Sequence, residues 1–305
     1  MKTVLITGGS GFIGRRLSQE LLARGDRVTI LTRNVNKTRG KVPTGVRVAG
    51  WTPDKEGPWF DELDKVDAVV HLAGEVVAQR WNEKKKKEIV ESRVGSTANL
   101  VEAIGRAKHK PSVLVSASAT GFYGARDPEE ELTEESEKGK GFLADLVEQW
   151  EGASAKAEEH GVRTAMLRIG VVFGKGGGAL EQMVPAFKFF VGGPIGSGKQ
   201  IYSWVHIDDV VGLALMAIDD ERVRGPVNAV SPYPASANEV AKAIGVALNR
   251  PSFFKVPKGI VGAMLGEAAE IVTESQRVTP QRAIELGYEF RYARLMPAIE
   301  SILGS

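Results

Sequence analysis

Three glycines spaced three apart, Gly8, Gly11 and Gly14, stand in the run Thr7-Gly8-Gly9-Ser10-Gly11-Phe12-Ile13-Gly14 of a 305-residue chain. A short β-prone run, Thr3–Thr7, precedes them and a helix-like run, Phe12–Ala23, follows. Each glycine has its own physical use at this spacing. Gly8 permits a tight exit from a strand, Gly11 lets backbone approach a ligand with no Cβ in the way, and Gly14 lets the helix pack close on the sheet. A helix opening here offers unpaired N–H groups and the positive end of its dipole, so the group that fits is a phosphate or diphosphate. A glycine triplet alone is weak evidence. With a strand before it and a helix after it, the triplet becomes a dinucleotide-binding fingerprint, and Gly8, Ser10, Gly11, Phe12, Ile13 and Gly14 are expected to contact the cofactor.

The end of the second strand selects the dinucleotide. Sites for NAD place an acid there, about twenty residues after the loop, to hold the adenine ribose hydroxyls. This chain has Leu31-Thr32-Arg33-Asn34, with Lys37 close behind. An acid would repel a 2′-phosphate, whereas a guanidinium pairs with it, at about 1.5–3 kcal/mol for each charge-assisted hydrogen bond. Arg33 and Asn34 therefore point to NADP (NADPH) over NAD.

The elements that must hold these groups follow from hydrophobic patterning. Arg27–Thr32, Asp67–Leu72, Ser112–Val115 and Arg163–Leu167 are short, nearly continuous apolar runs. Helical patterns lie between them, at Asn82–Lys108 and Gly141–His160. Alternating β and α with unbroken apolar strands is the mark of a parallel sheet covered on both faces. Beyond Leu180 helices dominate: Leu180–Phe190, Asp208–Ile218, Ala237–Leu248 and Ile260–Ile271. The expected fold class is α/β, a Rossmann doubly wound parallel sheet with a smaller, mostly helical C-terminal substrate part. Residues 1–180 form the NADP-binding domain, with segments returning to it at about 203–232, and residues 181–305 form the smaller part.

Composition removes several function classes. Forty basic residues against 38 acidic ones leave a net charge of +2, which gives no electrostatic case for nucleic acid or a membrane surface as partner. There is no cysteine, and the four histidines are scattered, so no metal site is expected. No apolar run approaches the roughly 18 residues that a spanning helix needs, and a cytoplasmic location is expected. The Lys84–Lys87 run, flanked by Glu83 and Glu88, reads as a solvated helix face.

At the glycine loop the chain resembles the extended short-chain dehydrogenase/reductases, the nucleotide-sugar epimerase group. It is most similar to the atypical branch of epimerase family proteins, of the YfcH and SDR39U1-like type. The resemblance runs almost end to end, through His71–Glu75 (HLAGE), Ser92-Arg93, Ser116–Gly124 (SASATGFYG), Trp150-Glu151, Leu167–Gly178 (LRIGVVFGKGGG), Ser203–His206 (SWVH) and Ser275–Pro280 (SQRVTP). It implies that Leu72, Ala73 and Gly74 pass beside the adenosine ribose, that Glu75 sits in the cleft, and that Ser116 and Ser118 lie near the nicotinamide. His71 is expected to be a buried structural residue. His206 either orders its loop or serves the site.

In that superfamily the acid/base is a tyrosine with a lysine four residues on, the lysine lowering the tyrosine pKa and holding the nicotinamide ribose. A phenol of pKa about 10 needs such a neighbour near neutral pH. None of the five tyrosines has a lysine four residues later; with Phe142 in the tyrosine place, Leu146 takes that of the lysine. Three groups are left as candidates for the chemistry: Ser118 to polarise a carbonyl, Tyr123 as acid or substrate contact, and Glu75 as a base if burial raises its pKa. Two readings stand. One is an NADP-dependent oxidoreductase or nucleotide-sugar-epimerase-like enzyme without the Tyr-x-x-x-Lys pair, acting on a small molecule such as a nucleotide sugar or another carbonyl or hydroxyl compound. The other is an NADPH-binding regulatory or sensor protein without turnover. A homodimer would fit the resemblance.

Overall fold

The computed structural model describes residues 1–304. Seven strands make one wholly parallel sheet: β1 (Thr3–Thr7), β2 (Arg27–Thr32), β3 (Arg47–Gly50), β4 (Ala68–His71), β5 (Val113–Ala119), β6 (Arg163–Ile169) and β7 (Gly225–Ala229), in the order β7-β6-β5-β4-β1-β2-β3. The order reverses between β1 and β4, where Thr7 pairs with His71. Connections leave the sheet in opposite directions at that point, opening a crevice beyond the carboxyl ends of the two strands.

Strand alternation sorts the side chains into two cores. Val4 and Ile6 face one side, where α1 (Phe12–Ala23) packs, and Leu5 faces the other. The short α2 (Val35–Arg39) leads from β2 towards the edge strand β3. The expected long helix over 82–108 is two helices, α3 (Glu83–Val90) and α4 (Ser96–Arg106), joined by one turn of π spacing at Glu91–Gly95. Its N-terminus is capped by the Asn82 side chain, which accepts from the Lys85 N–H. Leu100, Val101 and Ile104 of α4 cover the Leu5 face. The helix expected over 141–160 is α5 (Phe142–Ala155) with a 3-10 tail, and it runs alongside β5.

The second half follows the same logic with more interruptions. α6 is Gly178–Lys188, α7 is Ile207–Asp219, α8 is Ala237–Leu248, and α9 (Lys258–Leu265) is cut from α10 (Glu270–Thr273) at Gly266, whose φ is +60°. Two more helices follow, α11 (Gln281–Glu285) and α12 (Leu295–Leu303). α7 lies on the main sheet with α1, through Val211, Leu213, Ala214 and Ala217. α6, α8 and α12 bury a separate core around Phe187, Trp204, Val240 and Ile299. Among the described residues no helix is long and apolar enough to cross a membrane.

Candidate functional site

The loop from β1 into α1 is built as its glycines require. Gly8 sits at φ +68°, and a Cβ on it would meet the Leu72 backbone at 2.6 Å. A Cβ on Gly14 would stand 2.5 Å from the Gly9 Cα, so the helix can begin this close only without a side chain. Gly11 occupies the N-cap position, donating its N–H to the Gly8 carbonyl at 2.9 Å. No side chain caps this helix and no acid stands in its first turn, so the N–H groups of Phe12, Ile13 and Gly14 are left for an anion. The Phe12 ring turns away from the loop. It fills the space where Gly174, Gly177 and Gly178 would carry side chains, so Phe12 has only its backbone to give a ligand.

Beside the loop lies a cavity of about 900 Å³, walled by Arg33, by Trp51–Asp54 after β3, by Ala73-Gly74-Glu75 after β4, and by Ser92, Ser96 and Asn99. Arg33 is exposed on its rim and makes no ion pair among the described residues. Asn34 is partly occupied elsewhere: its side-chain oxygen accepts from the Lys37 N–H at 3.0 Å and caps α2, leaving only its NH₂ free. Trp51–Asp54 lay outside the sequence reading, because β3 is a short edge strand with a half-exposed pattern that hydrophobic runs do not flag.

At the ends of β4 and β5 the structure separates the expected residues. His71 is fully buried, its Nδ1 2.6 Å from Thr7 Oγ1, and burial holds its pKa down at about 4. Ser116 does not face the cleft. It lies inside β5, donates to the Ala117 carbonyl and accepts from Ser154 on α5 at 2.9 Å, so its hydroxyl is satisfied within the protein. Glu75 is not enclosed: its side chain is 33% exposed and pairs with Lys85 at 3.4 Å. Tyr123 is also corrected. It is fully buried, donates to Asn228 Oδ1 at 2.7 Å and accepts from Arg168 at 3.0 Å, and burial pushes its pKa up to about 12. A phenol so held is an anchor, ill suited to give up its proton.

Ser118 stands near the carboxyl end of β5, 4% exposed, with its hydroxyl donating to Glu151 of α5 at 2.5 Å. Glu151 is clamped by two bonds from the Arg168 guanidinium, each 2.8 Å, and Arg168 lies over the Phe122 ring at 3.6 Å. The chain Ser118–Glu151–Arg168–Tyr123–Asn228 thus links β5, α5, β6 and β7 through buried polar groups. An arginine within the apolar run of β6 was the signal for this network, since a buried cation requires a partner. In the tyrosine and lysine places, Phe142 meets the Trp81 ring at 5.1 Å and Leu146 is buried with Ile89 and Ala268. His206 caps α7, its Nδ1 accepting from the Asp208 N–H at 3.1 Å, and its ring lies 3.9 Å from that of Tyr292.

Comparison with known proteins places this geometry. Residues 4–230 match the model of the NAD dependent epimerase/dehydratase family, and residues 256–302 match a domain of unknown function, DUF1731. The chain is 41% identical, over 99% of its length and 86% of the relative's, to the chloroplastic epimerase family protein SDR39U1 homolog of Arabidopsis thaliana. It is 34% identical to epimerase family protein YfhF of Bacillus subtilis, over 98% of this chain and 97% of that one. Human epimerase family protein SDR39U1, crystallised with NADPH, superposes with a TM-score of 0.85 at 34% identity, over 99% of both chains. UDP-glucuronic acid 4-epimerase from Bacillus cereus shares the fold, with a TM-score of 0.79 at 17% identity, over 98% of this chain and 96% of that one.

Proposed function

The chain belongs to the NAD dependent epimerase/dehydratase family, and from that premise we propose that it is an NADP-dependent oxidoreductase or epimerase-like enzyme whose active site lacks the Tyr-x-x-x-Lys pair. Its substrate is a small molecule bearing a carbonyl or hydroxyl group, and nucleotide sugars are the first class to try. One observation carries the cofactor half of this reading: the loop before the bare N-terminus of α1 packs on the Leu72-Ala73 backbone, and Ala73 in turn lines the cavity that holds the unpaired Arg33. The NADPH in the human relative's crystal supports the same choice.

The residues divide the work by position. The N–H groups of Phe12, Ile13 and Gly14 take the diphosphate, Arg33 takes the 2′-phosphate, and Leu72-Ala73-Gly74 pass the adenosine ribose. When bound, the dinucleotide supplies hydride transfer at its nicotinamide ring, and the protein's part is to bind, orient and exclude water. Ser118 is the substrate-positioning group. Its proton is committed to Glu151, and Arg168 fixes Glu151 in turn, so the Ser118 oxygen is left to accept a hydrogen bond from a substrate hydroxyl. Residues 181–305 supply the substrate side of the cleft.

Calorimetry with NADPH and NADH, followed by turnover on panels of carbonyl compounds and sugar nucleotides, tests the reading. NADPH should bind more tightly than NADH, and Ser118→Ala should lower turnover by about a hundredfold with coenzyme binding intact. Folded protein that binds neither coenzyme overturns it. A second reading, an NADPH-binding regulatory or sensor protein, is favoured by Phe142 and Leu146 being packed into an apolar cluster. That reading requires tight NADPH binding with no turnover on any panel, and Ser118-dependent turnover ends it.

A further inference from the structure

Arg93 lies in the π-spaced turn Glu91–Gly95 between α3 and α4. A single wide turn of this kind takes a side chain off the helical register of its neighbours. The guanidinium arrives at the end of β4, where a Cβ on Gly74 would stand 3.0 Å from its Cζ and 3.1 Å from one terminal nitrogen. Gly74 thus leaves room for Arg93. On its other side the guanidinium lies over the Trp150 ring of α5, 5.2 Å from the centroid. Trp150 is one turn beyond Leu146 and two beyond Phe142 on the same helix. The cation therefore stands between the wall of the adenosine cavity and the helix from which the tyrosine and lysine are missing.

It is a cation short of partners. One terminal nitrogen reaches the Ile89 carbonyl and Ser92 Oγ, both at 3.5 Å, the outer limit of a useful hydrogen bond. The other two nitrogens donate to nothing, and no carboxylate comes within ion-pair distance among the described residues. Glu75 acts only from further away. Burial draws the Arg93 pKa down to about 10, as expected for a guanidinium that its surroundings do not neutralise. Trp150 is 5% exposed and its Nε1 also lacks an acceptor. Trp150 Nε1 and two nitrogens of the half-buried Arg93 can only donate, and they stand together with no oxygen within reach to receive them.

We propose that Arg93 serves in place of the lost lysine, its free N–H groups taking the hydroxyl oxygens of the cofactor's nicotinamide ribose. This rests on the NADP reading above. Arginine suits the task from the turn before α4, because its planar fork can hold two neighbouring oxygens at once, and because with no tyrosine present no pKa need be lowered.

Calorimetry separates the two halves of the cofactor. NADPH and adenosine 2′,5′-bisphosphate, which lacks the nicotinamide half, are titrated into wild type, Arg93→Leu and Arg93→Lys, with thermal melts to establish folding. Arg93→Leu should weaken NADPH by roughly ten- to a hundredfold and leave the bisphosphate unchanged, and Arg93→Lys should recover part of the loss. Should Arg93→Leu fail to fold, Arg93→Gln gives the same comparison with polarity kept and the charge removed. Unchanged NADPH affinity, or equal losses of both ligands, overturns the role of Arg93 while wild-type binding leaves the NADP reading standing. Wild-type protein that binds neither ligand overturns both.

Discussion

Replacing Arg33 by aspartate should invert the preference between the two dinucleotides. Arg33 stands exposed at the rim of the cavity and breaks no ion pair on leaving, so the substitution costs nothing in folding and its whole effect falls on the ligand. Loss of the guanidinium removes about 1.5–3 kcal/mol of charge-assisted hydrogen bonding to a 2′-phosphate. The new carboxylate adds repulsion of about 1 kcal/mol per pair of unit charges at 4 Å in water, and a phosphate monoester carries nearly two charges near pH 7. Because the side chain is exposed, the aqueous value is the right one. Together the terms give about 3–5 kcal/mol, a loss of NADPH affinity of between roughly a hundred- and a few thousandfold. NADH should hold its affinity or gain up to about tenfold, since a carboxylate can accept from both ribose hydroxyls. Calorimetry at low and high ionic strength is the assay, and the NADPH penalty should shrink with added salt as the repulsion is screened. Equal losses of both coenzymes, or an NADPH loss that salt does not touch, would refute the placement of Arg33 at the 2′-phosphate.

Two further outcomes test the scaffold beneath the site. Arg168→Met leaves the Glu151 carboxylate with only Ser118 for company in a place where the paired side chains are 4% and 11% exposed. Losing one partner of a buried pair costs about 3–5 kcal/mol, and a denaturation free energy within about 1 kcal/mol of wild type contradicts the network. His71 has its pKa lowered from 6.5 to about 4 by burial, so the folded protein keeps it neutral. That contribution is complete above pH 6.5 and is lost as pH falls towards 4, at about 1.4 kcal/mol per pH unit. The stability difference between wild type and His71→Asn should therefore shrink by about 2 kcal/mol between pH 7 and pH 5. Glu134 and Asp209, whose burial raises their pKa, shift stability the other way but do so in both proteins. Parallel curves for the two proteins contradict the buried, neutral state of His71.

What could be read from the chain was set by how local its cause is. The glycine loop is a backbone constraint within eight consecutive residues, so its spacing between one strand-like and one helix-like run reports it, and the strands that frame it are unbroken apolar runs. Tyr123, Ser116 and Glu75 were read from type and position, but what each can do is decided by Asn228 and Arg168, by Ser154, and by Lys85. Those partners come from other elements, and no window along the chain contains both members of any such pair except Glu75 with Lys85. The turn between α3 and α4 escaped for a different reason. The apolar stripe over 82–108 continues through the π spacing, so the pattern reads as one helix, while the one extra residue in the turn redirects Arg93.

The absence of a Tyr-x-x-x-Lys pair from the sequence fits the way α5 packs. Phe142 and Leu146 share a cluster with Trp81, Ile89 and Ala268, so the face of α5 that would present a phenol and an ammonium is closed by apolar contact. An ammonium at Leu146, which is 2% exposed, would be a desolvated charge with the Arg93 cation on the same side of the helix. The two arrangements exclude one another on electrostatic grounds. With the apolar face in place, a polar group near the reacting centre can come only from the elements on either side of it. The chain puts one on each: Ser118 on β5, held by Glu151 and Arg168, and Arg93 on the wide turn before α4. That both flanks carry polar groups held in place, one of them a half-buried cation without a counter-charge, is the physical reason behind the proposal that the site is rebuilt around the dinucleotide rather than abandoned.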